Sequence, residues 1–228
     1  MITTLTSAGT RALGSLFAPG MLGVLLVSML ITLCALGGFV VGSTLLAGWF
    51  GGSGVAWVGG FAISSLVAWV LFPGIMPIIV NFFDQRIASL IEAQDYPNAP
   101  APISPPFWPE FWHDARFSLM AVALNLLILP LILILPLYVF LFYLLNGYLL
   151  GREFFVMVAR RHLPLSDALA LRKKYAVPVL GAGVALTFMA TVPFLNLIAP
   201  FWGIAVMTHL FHRLAPARAG IEILPPTI

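Results

Sequence analysis

The sequence predicts an all-α membrane protein, and three observations predict it. The chain of 228 residues is 61% hydrophobic and 8% charged, with a mean hydropathy of +1.05, where a soluble domain carries about 25% charged residues. Charged residues are absent from three blocks, Ala12 to Phe83, Phe117 to Gly151 and Tyr175 to Met207, and a spanning helix needs about 20 apolar residues. Two of these blocks carry prolines near their centres, Pro130 and Pro136 in one, Pro193 and Pro200 in the other. A water-soluble core could not hide this much apolar surface, because a folded soluble protein must still dress its exterior with polar groups. Lipid is the remaining solvent. No hydrophilic stretch is long enough to fold alone, so residues 1–228 read as one membrane domain.

The elements follow in order. Residues 1–18 read as a weakly amphipathic helix lying on the membrane, with Leu5, Ala8, Ala12 and Leu16 on one face. Residues 21–92 hold two long helices. Gly51-Gly52-Ser53-Gly54 supplies the turn between them, Trp49 and Trp57 flank it, and Pro73 and Pro77 bend the second helix. That helix runs to Ile91, and its polar end, Asp84 to Glu92, extends into water. Residues 96–109 contain six prolines and form an extended loop, followed by an interfacial anchor at Trp108, Phe111 and Trp112. Residues 117–151 and 175–212 are the two Pro-interrupted blocks. Between them, residues 152–174 form a basic amphipathic segment in which Ser166 caps a short helix ending on Arg172, Lys173 and Lys174. Residues 216–228 are a tail.

Each Pro-interrupted block is either one kinked span or a pair of short helices that enters the bilayer, turns and leaves on the same side. Charge placement favours the pair. Positive residues flank both blocks, Arg116 and Arg152 around one, Lys174 and Arg213 around the other. Two hairpins keep every positive charge on one face, as the positive-inside rule prefers. Six of the eleven Lys/Arg residues lie between Arg152 and Lys174, so the charged loops are expected on the cytoplasmic side. Backbone at the turns then needs protein or water around it.

Chemistry-bearing motifs are sparse. No metalloprotease, phosphate-loop or serine-hydrolase pattern occurs, so no catalytic residue, metal or cofactor is expected. His209 and His212 have the i, i+3 spacing of a metal pair, but no carboxylate or third histidine is near in sequence, and they read as interfacial histidines ending a helix. Cys34 stands alone and frames no disulfide. The strongest polar set is Asn146, Tyr148, Arg152 and Glu153. Charges at membrane depth are costly and are paired or functional. Adjacent Arg152 and Glu153 do not face each other on a helix, so each needs a partner elsewhere. With Arg116, Arg160 and Arg161 the set is a candidate vestibule or path for an anion, against the plainer readings of interfacial ion pairs and attraction to anionic lipid headgroups. The backbone N–H groups of Gly20, Met21, Leu22 and Gly23, after Pro19, could receive an oxyanion, though no cation stands beside them and a simple helix start is the favoured reading. Nucleic acid is not an expected partner.

Four stretches carry a resemblance: SLFAPGMLGVLL, IIVNFFDQRIASLIEAQ, LNGYLLGREFF and VPFLNLIAPFWGIAVMTHLF. In order and spacing they resemble the CysZ sulfate-permease family and its etoposide-induced-protein relatives. The resemblance implies two long transmembrane helices, two half-penetrating helical hairpins and amphipathic interface helices. It further implies ATP-independent uptake of sulfate or a similar small anion across the bacterial inner membrane for cysteine biosynthesis, by a homo-oligomer. In CysZ proteins the Pro-Gly before the first long helix is followed by basic residues implicated in sulfate binding; here it is followed by Met21-Leu22-Gly23. The alternative is a non-transporting scaffold or assembly factor of the same superfamily, using the Pro-rich loop and the tail to bind partners.

Overall fold

The computed structural model describes residues 2–17, 19–51, 54–103, 107–192 and 195–215. Among these residues the regular structure is nine α-helices and one 3₁₀ segment, without a strand. Four stretches, Gly20–Gly51, Ala115–Leu133, Leu135–Ala159 and Leu195–Leu214, are long and apolar enough to cross a membrane. The chain is therefore an all-α, multi-pass membrane protein. Gly52, Ser53, Pro193 and the 216–228 tail, all named above, lie outside the described residues. The chain folds as two compact units, residues 18–86 and residues 1–17 with 87–228.

The smaller unit holds α2 (Pro19–Gly51) and α3 (Gly54–Asn81). The Ser43 hydroxyl donates to the Ser64 hydroxyl at 2.6 Å, and a Cβ placed on Gly60 would lie 2.6 Å from the Ala47 Cβ. Both pairs are equidistant from residues 53–54, so the helices run antiparallel. Along α2, Ser28 donates to the Leu25 carbonyl at 3.0 Å, Thr32 to Ser28 at 2.8 Å and Thr44 to Val40 at 2.7 Å. Every one of these hydroxyls is satisfied within its own helix, which is what a lipid solvent demands. Leu26, Leu30, Leu33, Leu45 and Leu46 on α2 and Val58, Phe61, Ile63 and Leu66 on α3 are exposed. α3 stops at Asn81, earlier than the helix to Ile91 that the sequence suggests. Phe82 and Phe83 bond back three residues, to Ile79 and Val80, tightening the end. A separate α4 (Asp84–Asp95) begins on an acidic residue that suits a helix N-terminus.

The larger unit contains α1 (Ile2–Ser15), α4 from Ile87 on, α5 (Phe107–Ile128), α6 (Leu135–Ala159), α7 (Leu165–Lys174), α8 (Ala176–Thr191) and α9 (Leu195–Leu214). α5 and α6 are joined by the 3₁₀ segment Leu129–Leu133. Pro130 sits in the first turn of that segment and Pro136 in the first turn of α6, where a missing N–H costs nothing. The Asn146 amide donates to the Asn125 Oδ1 at 3.0 Å, and the Arg152 guanidinium lies 3.7 Å over the Phe117 ring. Both pairs straddle the break symmetrically, so α6 runs back along α5. The first block is a hairpin.

The second block also doubles back. A Cβ on Gly203 of α9 would lie 2.9 Å from Leu186 Cδ2 of α8, and the Asn196 N–H bonds to the Val192 carbonyl across the break. α7 meets α8 at 89° near Tyr175. α8, with 16 residues, is about 24 Å long at 1.5 Å per residue, short of the ~30 Å hydrocarbon core.

α6 and α8 meet backbone to backbone. A Cβ on Gly183 would collide with the Gly147 carbonyl and lie 2.8 Å from the Gly151 Cα, and one on Gly151 would lie 2.6 Å from the Val179 carbonyl. Small residues spaced by four let helices approach this closely in lipid. α9 is the core of the unit, buried from Ala199 through His212. Ala8, Ala12 and Leu16 are buried, and α1 packs on α9. The small Gly9 admits the α9 Trp202 indole, whose N–H donates to the Gly9 carbonyl at 3.4 Å. The expected Ser166 cap is also corrected. Pro164 is the N-cap of α7, and Ser166 lies inside the helix donating to Asp167 at 3.2 Å. The basic last turn, Arg172 to Lys174, is as expected.

Candidate functional site

A cluster of buried ionisable groups in the larger unit forms where α4, α6 and α9 end. Glu92, in the last turn of α4, is 7% exposed, in place of the water-exposed position expected for it. Its Oε2 accepts from the Arg161 Nη2 at 2.8 Å, and its Oε1 faces the His162 Nε2 at 2.8 Å and the His212 Nε2 at 3.4 Å. Arg161 also donates to the Ser89 hydroxyl at 2.9 Å, and its carbonyl accepts the Ile103 N–H at 2.8 Å. The sequence arranges this convergence simply. Ser89 and Glu92 lie three apart on one face of α4, Arg161 and His162 occupy the turn after α6, and His212 projects from α9.

Burial works to raise the Glu92 carboxyl. The hydrogen bonds from His162, His212 and Arg161, with the Arg161 charge, outweigh it and hold the group well below the usual carboxylate range. An ionised carboxylate only accepts, so both imidazoles present Nε2–H to it. The His162 ring stacks on Phe211, centroids 5.6 Å apart, and its Nδ1 is buried without a hydrogen-bond partner.

A second layer adjoins the first. The Tyr96 ring stacks on His212 at 4.1 Å, and its hydroxyl bonds to the His209 Nδ1 at 3.0 Å. Burial pushes that hydroxyl up to about 12, so it remains a donor at neutral pH. Donation to Nδ1 puts the His209 proton on Nε2, 3.2 Å from the Ser15 hydroxyl and 3.7 Å from the Asp95 Oδ2. Burial raises the Asp95 carboxyl, partly offset by the Arg11 charge and the Ser15 hydrogen bond. Arg213 donates to the Ser7 hydroxyl, tying α9 to α1.

Of the residues named in the sequence as anion-path candidates, only Arg161 belongs to this cluster. Asn146 pairs with Asn125 inside the first hairpin and also donates to the Phe142 carbonyl at 3.0 Å. Tyr148 receives the Arg172 guanidinium at 4.3 Å. Arg152 covers Phe117, Arg160 is buried, and Glu153 and Arg116 are exposed. Gly20, Met21, Leu22 and Gly23 form the first turn of α2, with Met21 buried and the other three exposed.

Glu92, His162 and Tyr96 were not singled out in the sequence, and His209 and His212 only by their spacing, because the cluster draws on three separate segments. The one available signal was the histidine pair on α9, three residues apart. Among the described residues, Glu92, His162 and His212 are the set of three whose donor atoms, all within 4.8 Å of one another, could hold a metal ion.

Residues 9–200 match the family model described as sulfate transporter CysZ/etoposide-induced protein 2.4. No curated protein matches the chain.

Proposed function

Because the chain belongs to the sulfate transporter CysZ/etoposide-induced protein 2.4 family, we propose that it is a sulfate-permease-like protein of the bacterial inner membrane, taking up sulfate or a related small anion without ATP. The observation that carries this reading is the match over residues 9–200.

The geometry supplies a division of labour for the cations. Glu92 engages Arg161, so Arg161 serves the protein's own carboxylate. Arg152 rests on the face of the Phe117 ring, and its sequence neighbour Arg116 is exposed. Both stand at the open end of the first hairpin, where cationic side chains raise the local concentration of anions. The Asn125–Asn146 pair lies deeper between the arms and offers amide groups to a partly dehydrated oxyanion. The basic loops are placed on the cytoplasmic side against anionic headgroups, and homo-oligomerisation completes the assembly.

Labelled-sulfate uptake into proteoliposomes tests the reading. Uptake above that of empty liposomes is expected, falling on the order of 10-fold in Arg152→Gln if the side chain contributes about 1.4 kcal/mol to the rate-limiting step. Folded, monodisperse protein giving uptake equal to empty liposomes rules out sulfate transport.

A further inference from the structure

We propose that Glu92, His162 and His212 form a binding site for a divalent transition metal of the zinc class, which clamps α4, the turn after α6, and α9 together. The proposal is independent of the transported substrate.

Two imidazole nitrogens and one carboxylate oxygen are a recurrent zinc donor set. All three side chains are buried: Glu92 is 7% and His212 2% exposed, and the His162 side chain is 1% exposed. Their donor atoms lie within 4.8 Å of one another, with the Glu92 Oε1 at 2.8 Å from the His162 Nε2 and 3.4 Å from the His212 Nε2. Tetrahedral zinc with bonds of about 2.0–2.1 Å separates its ligand atoms by about 3.3 Å, and the two distances to Oε1 bracket that value. Small side-chain movements admit the ion.

The surroundings fit a ligating carboxylate. The ion takes Oε1, while Arg161 holds Oε2 through Nη2 at 2.8 Å, lies 3.4 Å from Oε1 through Nε, and is itself fixed by Ser89. An outer partner of this kind orients a metal-bound carboxylate. Phe211 and Tyr96 stack on the two imidazoles and set their ring planes. On binding, each imidazole turns an Nε2 lone pair to the ion and carries its proton on Nδ1. Three protein ligands leave one position for water.

The preferred metal follows from the donors. Imidazole nitrogens suit zinc, cobalt and nickel, whereas magnesium and calcium require oxygen ligands.

The test uses the full chain purified in detergent without a polyhistidine tag and stripped with a chelator. One Zn²⁺ per chain is expected, with a rise in the thermal midpoint. Co²⁺ should give visible ligand-field bands, and X-ray absorption of the zinc-loaded chain should show two imidazoles. His162→Gln and His212→Gln should each weaken Zn²⁺ binding by at least about 10–100-fold, the loss already seen for outer-shell partners. If either histidine variant fails to fold, the imidazole count on the parent chain decides alone. A stripped parent chain that takes up neither Zn²⁺ nor Co²⁺, or a bound zinc without imidazole ligands, overturns the proposal. So does undiminished binding in both folded histidine variants.

Discussion

α2 and α9 come from blocks equally free of charge for most of their length, yet they use their apolar surface in opposite ways. α2 exposes leucine after leucine, from Leu22 through Leu46, and keeps its few hydroxyls bonded to its own carbonyls. α9 is buried almost throughout and ends in His209 and His212, which bond to Tyr96 and Glu92. Hydropathy reports that both avoid water. It does not report whether lipid or protein replaces the water. In the smaller unit polar groups are hydroxyls satisfied by their own helix or, at Ser43 and Ser64, by the neighbouring one. In the larger unit the protein surrounds α9 and can therefore hold charge.

Three experiments sharpen or break this contrast. Hydrogen exchange followed segment by segment reports local opening, with the α2–α3 pair as internal reference. The largest effect is expected from Glu92→Ala. It leaves Arg161 buried without its carboxylate, a change of about 3–5 kcal/mol, read as lost protection in α4, residues 160–163 and the end of α9. Unchanged protection there would mean that the cluster stabilises nothing. Gly183→Val is next. Its side chain meets the Gly147 carbonyl and the Gly151 Cα, and overpacking of this kind costs about 1–3 kcal/mol, read as lost protection in α6 and α8. A valine tolerated there would show the two helices to be further apart.

The smallest effect is expected from acid. The folded Glu92 carboxyl titrates below the ordinary carboxylate value of 4.5, so its contribution is complete above that pH and declines as the pH falls below it. Asp95 is shifted the other way, so its protonation favours the folded state as the pH falls and opposes the Glu92 trend. Glu92 dominates because it has three close partners and less exposure, 9% against 28% for the side chains. Lowering the pH from 5 to about 3 should destabilise the larger unit, more steeply in Asp95→Asn and less in Glu92→Gln. The midpoint of thermal unfolding measures this, and an increase in stability over that interval in the parent chain would reverse the assignment.

Much of the fold was legible in the sequence for reasons that lipid makes simple. Charge-free runs mark the helices, Pro130 and Pro136 mark where the ladder breaks, and flanking arginines give the direction of return. The boundary at Asn81 was not legible, because Phe82 and Phe83 continue the apolar run and only the backbone shows the tightened turn. The cluster around Glu92 was even less so. Its members are ordinary polar residues in segments separated by 69 and 120 positions, and Glu92 has the local surroundings of a surface helix. The α6–α8 seam lay between these cases, since Gly147 and Gly151 are four apart but Gly183 is their partner only in space.

That seam has a mechanical consequence. With main chain resting on main chain at Gly147, Gly151 and Gly183, no rotamer slack remains between α6 and α8, and the two form a single stiff spar. Any displacement in this unit must carry the spar as one piece. α5 is joined to the spar through the 3₁₀ segment and held against it by an amide pair and an arginine-capped ring.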